Sequence, residues 1–189
     1  MTMNHGMKNI VPLTLPVLLA AASWCTLAQA DKPEDVKGWN KVTWGMSVAD
    51  AKATLGDQAT VSTVVPGPNF TDIERLTISN LPVGEDLVGR CGIQTKRNSD
   101  AVTSIQIRFG QVRDDPSTRE RAFDILKRLL IEKYGSPKNE DRKAEPEDIK
   151  STVLWTFPST SITLLRSEST RYGLGYLTVT YRAAEKNIL

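Results

Sequence analysis

The chain has 189 residues, 24 Lys and Arg against 22 Asp and Glu, a formal net charge of +2, and 40% hydrophobic residues. That composition excludes a disordered, collagenous or multi-span membrane protein. The near-balance of charge excludes a global field that would draw in nucleic acid or an anionic membrane.

Met1–Asn9 is short and polar, Ile10–Ala22 is almost wholly apolar, and Ala28-Gln29-Ala30 places small residues where a signal peptidase reads. These are the three regions of a secretory signal. An apolar run of about 13 residues falls short of the roughly 20 that span a bilayer. Residues 1–30 therefore read as a cleaved signal of bacterial style. Residues 31–189 read as a single periplasmic domain with no stable membrane insertion.

Removing residues 1–30 takes away His5, the only histidine, and leaves Cys91 as the only cysteine. Such a chain has no Ser-His-Asp or Cys-His site and offers no imidazole to a metal. One cysteine makes no internal disulfide. There is no phosphate-binding glycine loop, no C-x-x-C, no G-x-S-x-G and no dinucleotide fingerprint. No cofactor or metal is expected. Paired carboxylates of the glycosidase kind are the one common catalytic device left open.

Asp31–Asn40 is polar and reads as a loose lead-in, and Lys41–Trp44 as a short strand. Ser47 is an N-cap for a helix over 48–55, whose apolar residues are Val48, Ala51 and Leu55, and Gly56 ends it. Thr60–Val65 is β-branched and extended, and Pro66-Gly67-Pro68-Asn69 is a turn. Glu74–Ser79 alternates, with Leu76 and Ile78 on one face and Arg75 and Thr77 on the other. Leu87–Thr95 sets Leu87, Cys91 and Ile93 against Arg90 and Gln94. Val102–Phe109 sets Thr103, Ile105, Ile107 and Phe109 against Ser104, Gln106 and Arg108. One-sided alternation marks antiparallel strands with one packed and one wet face.

Ser117 and Glu120 form a capping box for a second helix, Thr118–Tyr134, which Gly135 and Pro137 stop. Lys138–Lys150 carries nine charges and reads as a solvated loop. Strands follow at Thr152–Phe157, Ser161–Arg166 and Leu174–Arg182. The expected fold is α+β, in two similar helix-plus-antiparallel-strand halves at about 41–110 and 115–182. Both helices would pack on one face of the sheet. Cys91 reads as a small buried hydrophobe, and Trp44 and Trp155 as core or junction fillers.

The Trp44-Gly45-Met46-Ser47 opening resembles a loose group of secreted bacterial proteins of unassigned function. The likeness continues with a helix closed by Leu55-Gly56, Tyr134-Gly135-Ser136-Pro137, Trp155 and Leu177-Thr178-Val179-Thr180-Tyr181. It is distantly similar to outer-membrane assembly lipoproteins and to β-lactamase inhibitor proteins. The resemblance implies a binding or scaffold module and transfers no catalytic residue.

The wet face supplies the candidate site. Alternation turns Arg75, Arg90, Arg108 and Arg182 away from the helices, with Gln106 and Tyr176 beside them. Guanidinium forks and amides on one face suit a carboxylate, a phosphate or an acidic protein surface. Polar residues are also what any wet sheet face carries. The expected function is that of a non-enzymatic binding module, such as an inhibitor, immunity or envelope accessory protein. Its partner would be a protein or a small anionic ligand, and the protein a monomer or weak dimer. The competing reading is a histidine-free hydrolase with two carboxylates, one of raised pKa, about 5–10 Å apart.

Overall fold

A computed structural model describes residues 33–84, 87–110, 115–169 and 171–185. The expected signal segment lies outside the described residues. A small hairpin, β1 (Gly38–Trp39) and β2 (Val42–Thr43), opens the fold. Then come α1 (Val48–Leu55), one turn of 3-10 helix, β3 (Thr60–Val61), β4 (Asp72–Val83), β5 (Leu87–Lys96) and β6 (Val102–Phe109). After them follow α2 (Pro116–Tyr134), β7 (Asn139–Ala144), β8 (Asp148–Thr156), β9 (Thr160–Ser169) and β10 (Leu174–Ala183). The fold is α+β. The strands from β3 onward form one antiparallel sheet of eight, in the order β3-β4-β5-β6-β10-β9-β8-β7.

Register explains the core. Ile78, Cys91, Ile107, Val179, Leu164 and Val153 stand opposite one another in a row across six strands. Because successive side chains alternate faces, that row and its neighbour Leu76, Ile93, Ile105, Tyr181, Ile162 and Trp155 share one side. Ala51 and Leu55 of α1 and Phe123, Leu126, Leu130 and Tyr134 of α2 join them in a single buried cluster. The Trp155 indole N–H donates to the Gly135 carbonyl at 2.7 Å, tying β8 to the end of α2. Tyr134 meets Phe157 and Tyr181 edge-on, with ring centres 5.9 and 6.2 Å apart.

Several sequence expectations hold at the level of atoms. Ser47 Oγ accepts from the Asp50 N–H at 3.1 Å, as an N-cap does. Gly56 and Gly135 end their helices at φ 61° and 88°, where a side chain would be strained. Cys91 is buried.

Three expectations are corrected. The lead-in is anchored: Asp35 accepts from Ser159 N (2.8 Å) and Ser159 Oγ (2.7 Å), and Trp44 Nε1 donates to Thr160 Oγ1 at 2.6 Å. Thr160 Oγ1 in turn bonds the Val36 carbonyl. The cap of α2 is Asp115, whose carboxylate accepts from Ser117 N at 2.7 Å; Ser117 already lies inside the helix. The charged run 138–150 holds β7 and the start of β8, paired from Asn139↔Leu154 to Ala144↔Ile149. Every residue of β7 is exposed, so this edge strand shows no alternation, and its charges guard the sheet edge.

One feature has no hydrophobic logic. The inward positions of β9 change from Ile162 and Leu164 to Arg166 and Glu168, 4% and 3% exposed. Glu168 accepts from Arg119 of α2 at 2.7 Å and from Arg166 Nε at 3.2 Å. Arg166 also meets Glu120 at 3.2 Å and donates to the Pro116 carbonyl at 3.3 Å. This charged layer joins the first turn of α2 to the sheet. Gly175 leaves room for it, since a Cβ there would stand 2.6 Å from Arg119 Cζ.

Candidate functional site

The wet face of the sheet carries the site, and a bulge in β4 decides its membership. Glu74 pairs with Gln94 and Leu76 with Ile93, so Arg75 is an extra residue between them. The bulge keeps Glu74 on the wet face. It sends the Arg75 guanidinium to Thr95 Oγ1 (3.1 Å) and the Arg97 carbonyl (3.2 Å), away from the other arginines. The expected placement of Arg75 beside them is therefore corrected. A bulge leaves no mark in the alternation of Leu76 and Ile78.

Arg90 and Arg108 stand directly opposite each other on β5 and β6. Like charges so placed repel. Glu74 lies between them: it accepts from Arg90 at 2.5 and 3.1 Å and from Arg108 at 3.2 Å, while Ser62 Oγ donates at 2.7 Å. Gly92 makes the approach possible, because a Cβ there would lie 2.9 Å from Glu74 Cδ. Burial pushes the Glu74 carboxyl upward. The hydrogen bonds from Arg90 and Ser62 and the charges of Arg90 and Arg108 outweigh it, and the group is held below its ordinary 4.5.

A second cluster adjoins the first. Asp72 meets Lys96 Nζ at 2.9 Å and Arg182 Nη2 at 3.1 Å. Gln106 Oε1 accepts from Arg108 Nε at 2.9 Å, and Ser104 Oγ donates to Gln94 Oε1 at 2.7 Å. Four bases thus surround two carboxylates. Of the residues expected from sequence, Arg90, Gln106, Arg108 and Arg182 come together. Tyr176 faces the same side but stands two positions beyond Thr178, the partner of Arg108, toward the opposite end of β10, and is 50% exposed.

The segment 62–71 arches over this charged floor as a strap. Between strap and sheet lies a groove of about 480 Å³, with Asp72, Glu74, Gln106, Arg108 and Arg182 below and Val64, Val65 and Phe70 on the strap side. Glu74, Asp72 and the strap are absent from the sequence-based set. The signal available for the strap was two valines and a phenylalanine flanking Pro66-Gly67-Pro68, large apolar residues where a turn offers no core. Among the described residues, no three His, Cys, Asp or Glu side chains gather as a metal-binding set, and no helix is long and apolar enough to cross a membrane.

In comparisons with known proteins, no family model, no curated protein and no solved structure matches this chain.

Proposed function

We propose that the protein is a periplasmic, non-enzymatic binding module that presents the strap side of its open sheet face to an anionic partner. The observation that supports this is the surplus of bases on that face. Arg90, Arg108, Lys96 and Arg182 stand against Glu74 and Asp72, beside exposed apolar side chains. Such a surface offers both charge complementarity and contact area. The periplasmic placement rests on the character of residues 1–30.

A two-carboxylate hydrolase requires one carboxyl kept protonated near neutral pH. The carboxylate most deeply set in this groove, Glu74, is driven the other way by its arginines. The chemistry of the groove therefore favours recognition over hydrolysis.

The module reads as two similar halves, about 41–110 and 115–182. Each half sets a helix before four antiparallel strands, and the two quartets meet at their last strands, β6 and β10.

The test is capture from periplasmic extract, using protein purified from the secreted fraction as bait beside its Arg108→Ala/Arg182→Ala variant. The expected result is a stoichiometric partner on the wild type that is lost from the variant and weakened by salt. A folded bait that captures nothing, or captures equally after both substitutions, defeats the reading.

A further inference from the structure

The binding reading leaves open what kind of molecule enters the groove, and the two unlike walls of the groove narrow the choice. The floor is polar and charged. Arg108 and Arg182 have side chains 42% and 46% exposed, so each turns N–H donors toward the opening while contacting an internal carboxylate. The strap wall is apolar, with Val64, Val65 and Phe70 exposed by 51%, 88% and 66%.

The strap is also pinned in place. Arg97 Nη2 donates to the Gly67 and Phe70 carbonyls at 2.7 and 3.1 Å. Phe70 N donates to Gly67 O at 3.2 Å, and Ser62 ties the other end to Glu74. Apolar groups already ordered in water lose little entropy on contact, which is where binding energy concentrates.

Size adds a constraint. The floor draws on β4, β5, β6 and β10, four neighbouring strands. At about 4.8 Å between strands it is about 14 Å wide, the length of roughly four extended residues. A small anion would engage the floor and leave the apolar wall in water. A purely apolar ligand would strand the surplus positive charge.

Resting on the binding reading above, we infer that the groove takes an extended peptide segment of a partner protein, with an acidic residue beside a large apolar one. The carboxylate meets Arg108 and Arg182, and the apolar side chain lies against Val64, Val65 and Phe70.

The probe is a random heptapeptide library displayed on phage, panned on the secreted protein with Arg108→Ala/Arg182→Ala as counter-target. Enriched peptides are expected to carry Asp or Glu within two positions of Phe, Leu, Ile or Val. A synthetic copy should bind wild type at least tenfold tighter than it binds the double variant or Phe70→Ser. Replacing its acid by Gln or Asn should cost tenfold or more. Should the double variant fail to fold, Phe70→Ser and the acid-to-amide peptide still decide the matter.

Enrichment of basic or purely apolar peptides, no enrichment over the counter-target, or indifference to the amide replacement overturns the inference. If an arginine-dependent partner is captured from extract while panning enriches nothing, the peptide class is wrong and the binding reading stands. If capture fails too, both fall.

Discussion

Arg90 and Arg108 stand opposite each other on the wet face, and the Glu74 carboxylate between them makes that pairing tolerable. Glu74 shares the parity of Leu76 and Ile78, so a regular strand would bury it with them; the bulge at Arg75 reverses that. Because its folded pKa lies below the ordinary 4.5, Glu74 contributes stability that is present above pH 4.5 and lost as pH falls through the lower, folded value. Glu74→Gln is therefore expected to be less stable than wild type at pH 7. The gap should narrow steadily in denaturant titrations below pH 4.5. A gap independent of pH would remove the carboxylate from this role. Cys91 behaves in the opposite sense: burial, helped by the charge of Glu74, pushes its thiol up to about 12. A thiol that is neither ionised nor accessible does not attack electrophiles. Maleimide should label Cys91 only at the rate of unfolding and at once in denaturant, which mass spectrometry reads directly.

The elements divide by how much of their information is local. Helix α1 and strand β6 match their expected spans to the residue, because a Ser cap, a closing glycine and clean alternation are all short-range signals. Strand β7 carries no such signal, because an edge strand with every residue exposed owes its existence to hydrogen bonds with β8, not to burial. The α2 cap is Asp115, two residues before Ser117; both suit an N-terminus and only geometry separates them. Asp115→Ala should thus cost about 1 kcal/mol in chemical denaturation. Ser117→Ala, already within the helix and introducing the better helix former, should change stability by no more than about a few tenths of a kcal/mol. The charged layer beneath α2 carries higher stakes. Removing one member of a buried ion pair leaves its partner uncompensated, at about 3–5 kcal/mol. Glu168→Gln, which strips the buried Arg119 and Arg166 of their shared carboxylate, is expected to fall in that range, and Arg119→Met, which leaves Glu168 its contact with Arg166, below it. Equal and small losses for both would mean that water reaches this layer.

At the scale of the molecule, the fold class was legible and the way the sheet closes was not. Two helices and several one-faced strands compel an α+β layer structure. Nothing local in Val102–Phe109 or Leu174–Ala183 says that these two segments pair at the centre of one sheet. That choice is made by fitting the apolar rows of six strands together. The anchored lead-in is likewise invisible in a polar sequence, since its partners, Ser159 and Thr160, lie more than 110 residues away. Deleting residues 33–40 should lower the melting temperature while leaving the circular dichroism spectrum of the native state nearly unchanged. An unaltered melting temperature would reduce the lead-in to a passive contact.

The central β6–β10 seam also sets a timetable. Strand β6 ends at Phe109 and its partner begins at Leu174, 65 residues later. At roughly 5–20 residues per second of synthesis, the edge of β6 waits unpaired for about 3–13 s. During that interval the nascent chain presents Ile105, Ile107 and Phe109 beside a row of open amide and carbonyl groups, a template for another copy at the same stage. Incomplete chains ending before residue 174 should therefore be the self-associating form of this protein. The last strand acts as the lid that ends the hazard.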